Sequence, residues 1–475
     1  MQGLDFSAIA PELILLGLAT VLLLLELVIK QKEYIAVLTL FGVLAAFFSL
    51  STRGGSFADV FELDAYSYVF KVIFLVNLTL TILLSIRYMK IKNSSFGEYY
   101  SLLVFSTVGM MLMVSATNLM LIYLGLELMA LSTYILAGFI RHDKHSTEAA
   151  LKYFLMGAFS TAIILYGMSL LYGTTGTMDI ARIGAYIHYR GLMGNPLLLI
   201  SMVLFIVSFG FKIAAVPFHM WAPDVYEGAP TSVTAFMSVG PKAAGFAVLA
   251  KVLLTVFPSM IDNWSVIVTA LAILTMLVGN LIALAQSNLK RMLAYSSIAH
   301  AGYMLLGLVP GSAEGVLGIM TYLFIYMFMN VGAFSILILL TTQDCKCETL
   351  NDLEGLAKTH PFVAAIMLVF MFSLAGIPPT GGFIGKFSIF LSLLHAQHRW
   401  LAIAAVLFSA ISAFYYLRVV MYMYMRQPEV ARPDTGIADS FALRLALSVS
   451  LVMTLMLGIM PQQLIDSMRH MFRFI

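Results

Sequence analysis

Five ionisable side chains stand in stretches that otherwise read as lipid solvent: Glu127 in LIYLGLELMALSTYIL, Lys212 in FGFKIAAVPF, Lys242 and Lys251 in SVGPKAAGFAVLAKVLL, and Lys386 in GGFIGKFSIF. A charge inside hydrocarbon is expensive unless paired or hydrated, so such residues are functional by default. Carboxylates and amines are suited to holding and releasing a small cation, above all a proton. Glu127 moving toward or away from Lys212 would switch that lysine between its two protonation states. Glu127 has no basic residue within one helical turn, so its partner must come from another helix. Lys242 is the natural middle link between Lys212 and Lys386, and a row of such groups carries protons sideways along the membrane midplane.

His300 and Tyr303 sit beside Ser296 and Ser297 in LKRMLAYSSIAHAGYMLLG. An imidazole in a polar-lined helix can relay protons, although a satisfied core histidine has the same appearance. His219 and Asp224 are accessory candidates that also suit loop anchoring. Lys71, Lys251 and Arg418 lie where long side chains can snorkel to the interface.

Bond chemistry is missing. GGFIGKF at 381–387 has Thr380 where a phosphate loop needs its first glycine and Phe387 where it needs a hydroxyl. Cys345 and Cys347 are too few for an iron–sulfur cluster or a closed zinc site. With no cofactor or metal site expected in this chain, the energy to move charge against a membrane potential, about 2.3 kcal/mol per 100 mV, must come from elsewhere.

The elements that place these residues are membrane spans. The chain has 475 residues, 61% hydrophobic and 11% charged, with a mean hydropathy of +0.95. That much apolar surface cannot be hidden inside a soluble globule. Continuously apolar runs of about 20 residues indicate helices rather than barrel strands. The pattern predicts spans at 8–29, 34–50, 64–86, 98–115, 117–140, 150–173, 198–226, 231–256, 265–285, 292–309, 315–342, 361–395, 401–425 and 442–463, with no strands. MQGLDFSAIAPELILLG lacks a basic n-region and a small-residue cleavage site, so it reads as the first span.

Two spans are interrupted. Pro217 follows Lys212, and Pro378, Pro379, Gly381 and Gly382 precede Lys386; each proline frees backbone groups that water or polar side chains must satisfy. One broken span with a buried lysine in each half points to an inverted-repeat transporter. Lysine and arginine concentrate in alternate loops (Lys30, Lys32; Arg87, Lys90, Lys92; Arg141, Lys144; Lys290, Arg291; Lys346, Lys358; Arg426, Arg432), while the opposite set holds Arg53, Arg182, Arg190, Arg399, Arg469 and Arg473. This asymmetry places both termini outside. The net charge of +3 is this loop bias and implies no nucleic-acid partner.

Four stretches, FGFKIAAVPFHMWAPDVYEGAPTSVTAFMSVGPKAAGF, LGLELMALSTYIL, NLKRMLAYSSIAHAGYMLLG and AGIPPTGGFIGKF, together resemble the antiporter-like membrane subunits of respiratory complex I, the NADH:quinone oxidoreductase, and most closely those of subunit N type. The likeness runs through the whole chain, and WAPDVYEGAPT is its most specific part. It implies an all-α polytopic fold of about 14 transmembrane helices with two inverted five-helix repeats, helices 7 and 12 being discontinuous. Residues 1–97 would form a three-helix segment, 98–257 the first repeat, 264–426 the second and 427–475 the last helix. Glu127 would be the fifth-helix glutamate, Lys212 the seventh-helix lysine, Lys242 the connecting lysine, and Lys386 the twelfth-helix lysine that exchanges protons with the outside.

The resemblance further implies FMN, iron–sulfur clusters and quinone in partner subunits, and membrane neighbours of the M, L, J, K, A and H types. It implies a bacterial inner membrane with periplasmic termini. Lysine at 386 resembles subunits N and L more than M, and the chain's end soon after the last span is expected to exclude L. A multisubunit sodium/proton (Mrp-type) antiporter subunit is the alternative, and a non-pumping scaffold is a third reading.

Overall fold

The computed structural model describes residues 5–50, 54–342, 346–427 and 440–472; Arg53, Cys345, Arg432 and Arg473 lie outside them. Helices α1 (Phe6–Val28) and α2 (Lys32–Ser49) lead to a short antiparallel hairpin, β1 (Gly55–Phe57) with β2 (Phe61–Leu63). The hairpin corrects the expectation of no strands. Ala58 and Asp59 take positive φ of 53° and 55° to close its turn, a local feature that hydropathy does not report.

Next come α3 (Ala65–Ile91), α4 (Gly97–Ser115), α5 (Leu119–Ala137), α6 (Lys144–Thr175) and the short α7 (Ile180–Tyr189). Caps set their starts: the side chains of Asp64, Asn118, Asp143 and Asp179 each accept a first-turn N–H. Asp143 stands outside the span. Burial pushes its carboxyl upward, but the Lys346 ammonium at 3.1 Å and the His145 N–H outweigh this and hold it below the usual range. Helices α4 and α5 approach so closely that a Cβ on Gly109 would lie 2.5 Å from the Gly125 carbonyl oxygen. Small residues at the contact allow this.

The first broken element comprises α8 (Pro196–Lys212) and α9 (Trp221–Gly228), followed by α10 (Thr231–Thr255), α11 (Ile261–Ala285), α12 (Leu289–Leu306) and α13 (Ala313–Leu340). After the turn α14 (Leu356–Thr359), the second broken element is α15 (Pro361–Ala375) with α16 (Gly381–His395); α17 (Arg399–Met425), α18 (Phe441–Ile459) and α19 (Pro461–Phe472) complete the order. Among the described residues, 11 helices are long and apolar enough to cross a membrane, and α8, α15 and α16 are shorter apolar helices. The most apolar windows of α10 and α13 are 100% and 89% buried, against 33% for α1, α17 and α18. A helix apolar all round and covered all round is a core helix, so α10 and α13 form the axis against which the charged residues are set.

Candidate functional site

Each break places one buried lysine, on opposite sides of the interruption. Helix α8 stops at Lys212, and the chain passes through 213–220, with Ala214 at φ 59° and a cis bond before Pro217, before α9 begins. Helix α15 stops at Ala375, capped by Gly376 at φ 87°, and a cis Pro378–Pro379 bond precedes α16. Lys386 then reaches back: its Nζ donates to the Ala375 carbonyl and to Ser409 Oγ, both at 2.8 Å. Lys212 is the last residue of its half-helix, and Lys386 grips the last carbonyl of the other. The Lys386 ammonium therefore sits at a C-terminal end, where unsatisfied carbonyls favour a cation; the Lys212 ammonium meets the Tyr134 hydroxyl instead.

Lys212 is 3% exposed. Its Nζ lies 3.4 Å from the Tyr134 hydroxyl, 5.8 Å from the centre of that ring and 5.7 Å from that of Phe211. Glu127 is half-buried on α5, two turns before Tyr134, and the other-helix partner it was expected to have is a hydroxyl: Thr161 on α6 donates to its Oε1 at 2.7 Å. Among the described residues no ion pair joins Glu127 to Lys212, whose ammonium meets the Tyr134 hydroxyl instead.

Lys242 donates to the Ser297 carbonyl at 2.8 Å and to Ser297 Oγ at 2.5 Å. Ser297 opens a polar stripe on α12. His300 Nδ1 lies 2.6 Å from the Tyr322 hydroxyl and its Nε2 lies 3.0 Å from that of Tyr416, which also bonds Ser296. Tyr303 receives a hydrogen bond from Asn280, and the Lys386 ammonium stands 5.0 Å from the centre of its ring. Lys242, His300, Tyr303 and Lys386 are thus brought together around α12.

Pro241 now has a physical account. Within α10 it withholds the hydrogen bond that Met237 would accept, and the Tyr226 hydroxyl donates to that freed carbonyl at 3.4 Å. One residue earlier, Asn77 donates to the Phe236 carbonyl at 3.2 Å.

Other candidates lie apart from this stripe. Asp224, on α9, is tied to Lys152 at 2.8 Å and to Arg291 at 2.7 Å. His219 occupies the loop of the first break, its carbonyl accepting from Ala222 N–H and its Nδ1 buried without a partner among the described residues. Lys251 donates to the Val114 carbonyl at 3.0 Å.

Two expectations are corrected. Arg418 does not snorkel: its guanidinium donates to the Leu284 carbonyl at 2.6 Å and to that of Gln286, closing the end of α11. Lys71 does not snorkel either: it is 0% exposed and paired at 2.7 Å with Glu12, itself 2% exposed. Glu12 went unnoticed although a carboxylate inside the first span, in APELILLG, is the same signal that singled out Glu127. Tyr134, Thr161, Tyr322, Tyr416 and Asn280 were also missed, because neutral polar groups are common in buried helices and only their meeting point distinguishes them.

Residues 116–412 match the family described as NADH:quinone oxidoreductase/Mrp antiporter, TM. NADH-quinone oxidoreductase subunit N of Trichlorobacter lovleyi is 50% identical, covering 98% of this chain and 96% of that protein. The chain belongs to the NADH-quinone oxidoreductase subunit N family. Subunit N of Desulfovibrio desulfuricans is 46% identical over 97% of this chain and 95% of that one. A subunit of respiratory complex I from Thermus thermophilus, solved with bound aureothin, superposes with a TM-score of 0.81 at 34% identity, covering 96% of this chain and 99% of that chain. A chain of the Mrp complex from Dietzia shares the fold, with a TM-score of 0.82 over 98% of this chain and 97% of that one, but at 21% identity. The antiporter alternative is the weaker one on these identities. As a member of the subunit N family, the chain is a multi-pass membrane subunit of an NADH:quinone oxidoreductase, a translocase complex, and works with other subunits of it.

Proposed function

We propose that the chain translocates protons within the oxidoreductase along Glu127, Lys212, Lys242, His300 and Lys386, driven by quinone reduction elsewhere in the complex. The observation that carries this reading is that Lys242 and Lys386, far apart in sequence, meet the same polar stripe of α12, at Ser297 and Tyr303, with His300 between them. Lys251, Tyr303, His219 and Asp224 are accessory. The arrangement fits fourteen spans, taking each broken pair as one, in the two inverted repeats bounded at 98–257 and 264–426. We place the chain in the bacterial inner membrane with both termini periplasmic. M- and L-type subunits and the J, K, A and H types are its neighbours, and FMN, iron–sulfur clusters and quinone belong to partner subunits.

The test is the proton-to-electron ratio of assembled complex carrying Lys386→Ala. The expected result is a lower ratio with electron transfer retained in proton-leaky membranes. An unchanged ratio would show that protons leave this subunit by another group.

A further inference from the structure

We propose that Arg291 and Lys290, at the inner end of α12, are positioning residues that latch α9 and thereby hold the aromatic connection between Lys212 and Lys242; this rests on the proton-translocation reading above. Arg291 Nη1 donates to Asp224 Oδ1 at 2.7 Å and to Glu227 Oε2 at 2.8 Å. Lys290 is 2% exposed, and its Nζ donates to the carbonyls of Glu227 and Ala229, both at 2.8 Å. Four bonds from two consecutive residues of the second half of the chain thus hold one eight-residue helix and its exit turn in the first half. A helix that short has little stability of its own, so its place is set by what grips it.

What α9 carries makes the grip consequential. Trp221 stacks on Tyr153 with ring centres 4.6 Å apart and donates to the Phe211 carbonyl, the last one before Lys212. From Lys212 an unbroken run of rings leads onward. Phe211 lies 5.7 Å from its ammonium, Trp221 5.3 Å from Phe211, and Tyr226 6.1 Å from Trp221. The ammonium of Lys242 is 5.9 Å from the centre of the Tyr226 ring. Tyr226 also braces the carbonyl that Pro241 frees. Among the described residues no hydrogen bond joins Lys212 to Lys242 directly; α8 packs on α10 at Gly245, so what α9 sets is the row of rings between the two ammonium groups. A cavity of about 160 Å³ at the inner surface, lined by Tyr88, Asp143, Glu227, Lys290 and Glu348 among others, lies against the latch. Loosening the latch therefore leaves room for α9 to shift while the helices around it stay packed.

The experiment is the proton-to-electron ratio of whole assembled complex carrying Arg291→Met, Asp224→Asn or Arg291→Lys, beside Lys242→Ala. Arg291→Met is expected to lower the ratio toward that of Lys242→Ala, with electron transfer in proton-leaky membranes and subunit content unchanged. Asp224→Asn, which leaves Glu227 in place but also loses the Lys152 pair, should lower the ratio too, and Arg291→Lys should restore most of it. A wild-type ratio in Arg291→Met or Asp224→Asn overturns the latch proposal. So does parallel loss of assembly and electron transfer in both, which would make the contact purely structural. A wild-type ratio in Lys242→Ala would instead sink the translocation reading itself.

Discussion

Lys242→Ala is expected to slow proton passage through this subunit by about 10²–10⁴-fold, the usual contribution of a positioned acid–base group. Oxidation of NADH by quinone in proton-leaky membranes should stay near wild type. The ammonium is set between the ring of Tyr226 and the hydroxyl of Ser297, at 5.9 and 2.5 Å. Without it, the Ser297 hydroxyl and carbonyl lose a charged donor, and among the described residues no other titratable side chain of α10 bonds to the α12 stripe. Lys242→Arg keeps a charge but titrates far less readily, so it should assemble well and still pump poorly. Proton uptake and electron transfer measured on the same vesicles check both variants.

Breaking the pair between Glu12 and Lys71 is expected to have the largest effect on stability. Both groups are buried, and removing one partner leaves the other charge uncompensated, a loss of about 3–5 kcal/mol. Helix α1 is otherwise largely exposed, with 33% of its most apolar window buried. A second carboxylate, Glu26 near its C-terminal end, accepts from Gly97 N–H at 2.6 Å at the start of α4. The first helix is thus registered at both ends by carboxylates. Lys71→Met or Glu12→Gln should lower the thermal midpoint of assembled complex. Glu12→Met with Lys71→Met should recover most of it, because apolar packing replaces a buried pair at little expense. A single variant as stable as wild type would show that the pair does not hold α1.

Much of this architecture was legible in the sequence, for definable reasons. Apolar runs have a length set by the bilayer, so spans from α1 to α18 were located within a few residues. The largest departures are polar helix ends that hydropathy missed: the start of Lys144–Thr175, capped by Asp143, and the end of Ala65–Ile91. Both breaks were visible because proline and glycine act locally, beside Lys212 and Lys386. Partners were not legible. Lys242 meets Ser297, Glu127 meets Thr161 and Lys71 meets Glu12 across long sequence separations, and only the packed bundle brings them together. Pro241 was opaque for the same reason, since its freed carbonyl is answered by Tyr226 from the preceding helix. Lys290, which the sequence places among the inner loop charges that mark orientation, is buried and holds backbone carbonyls.

The claim that Lys242 and Lys386 serve one path is tested most directly by a double-mutant cycle on the proton-to-electron ratio, measured in sealed vesicles with wild-type, Lys242→Ala, Lys386→Ala and doubly substituted complex. Groups in series are not additive, so the double variant is predicted to lose no more than either single one. Losses that add would contradict a single chain through α12.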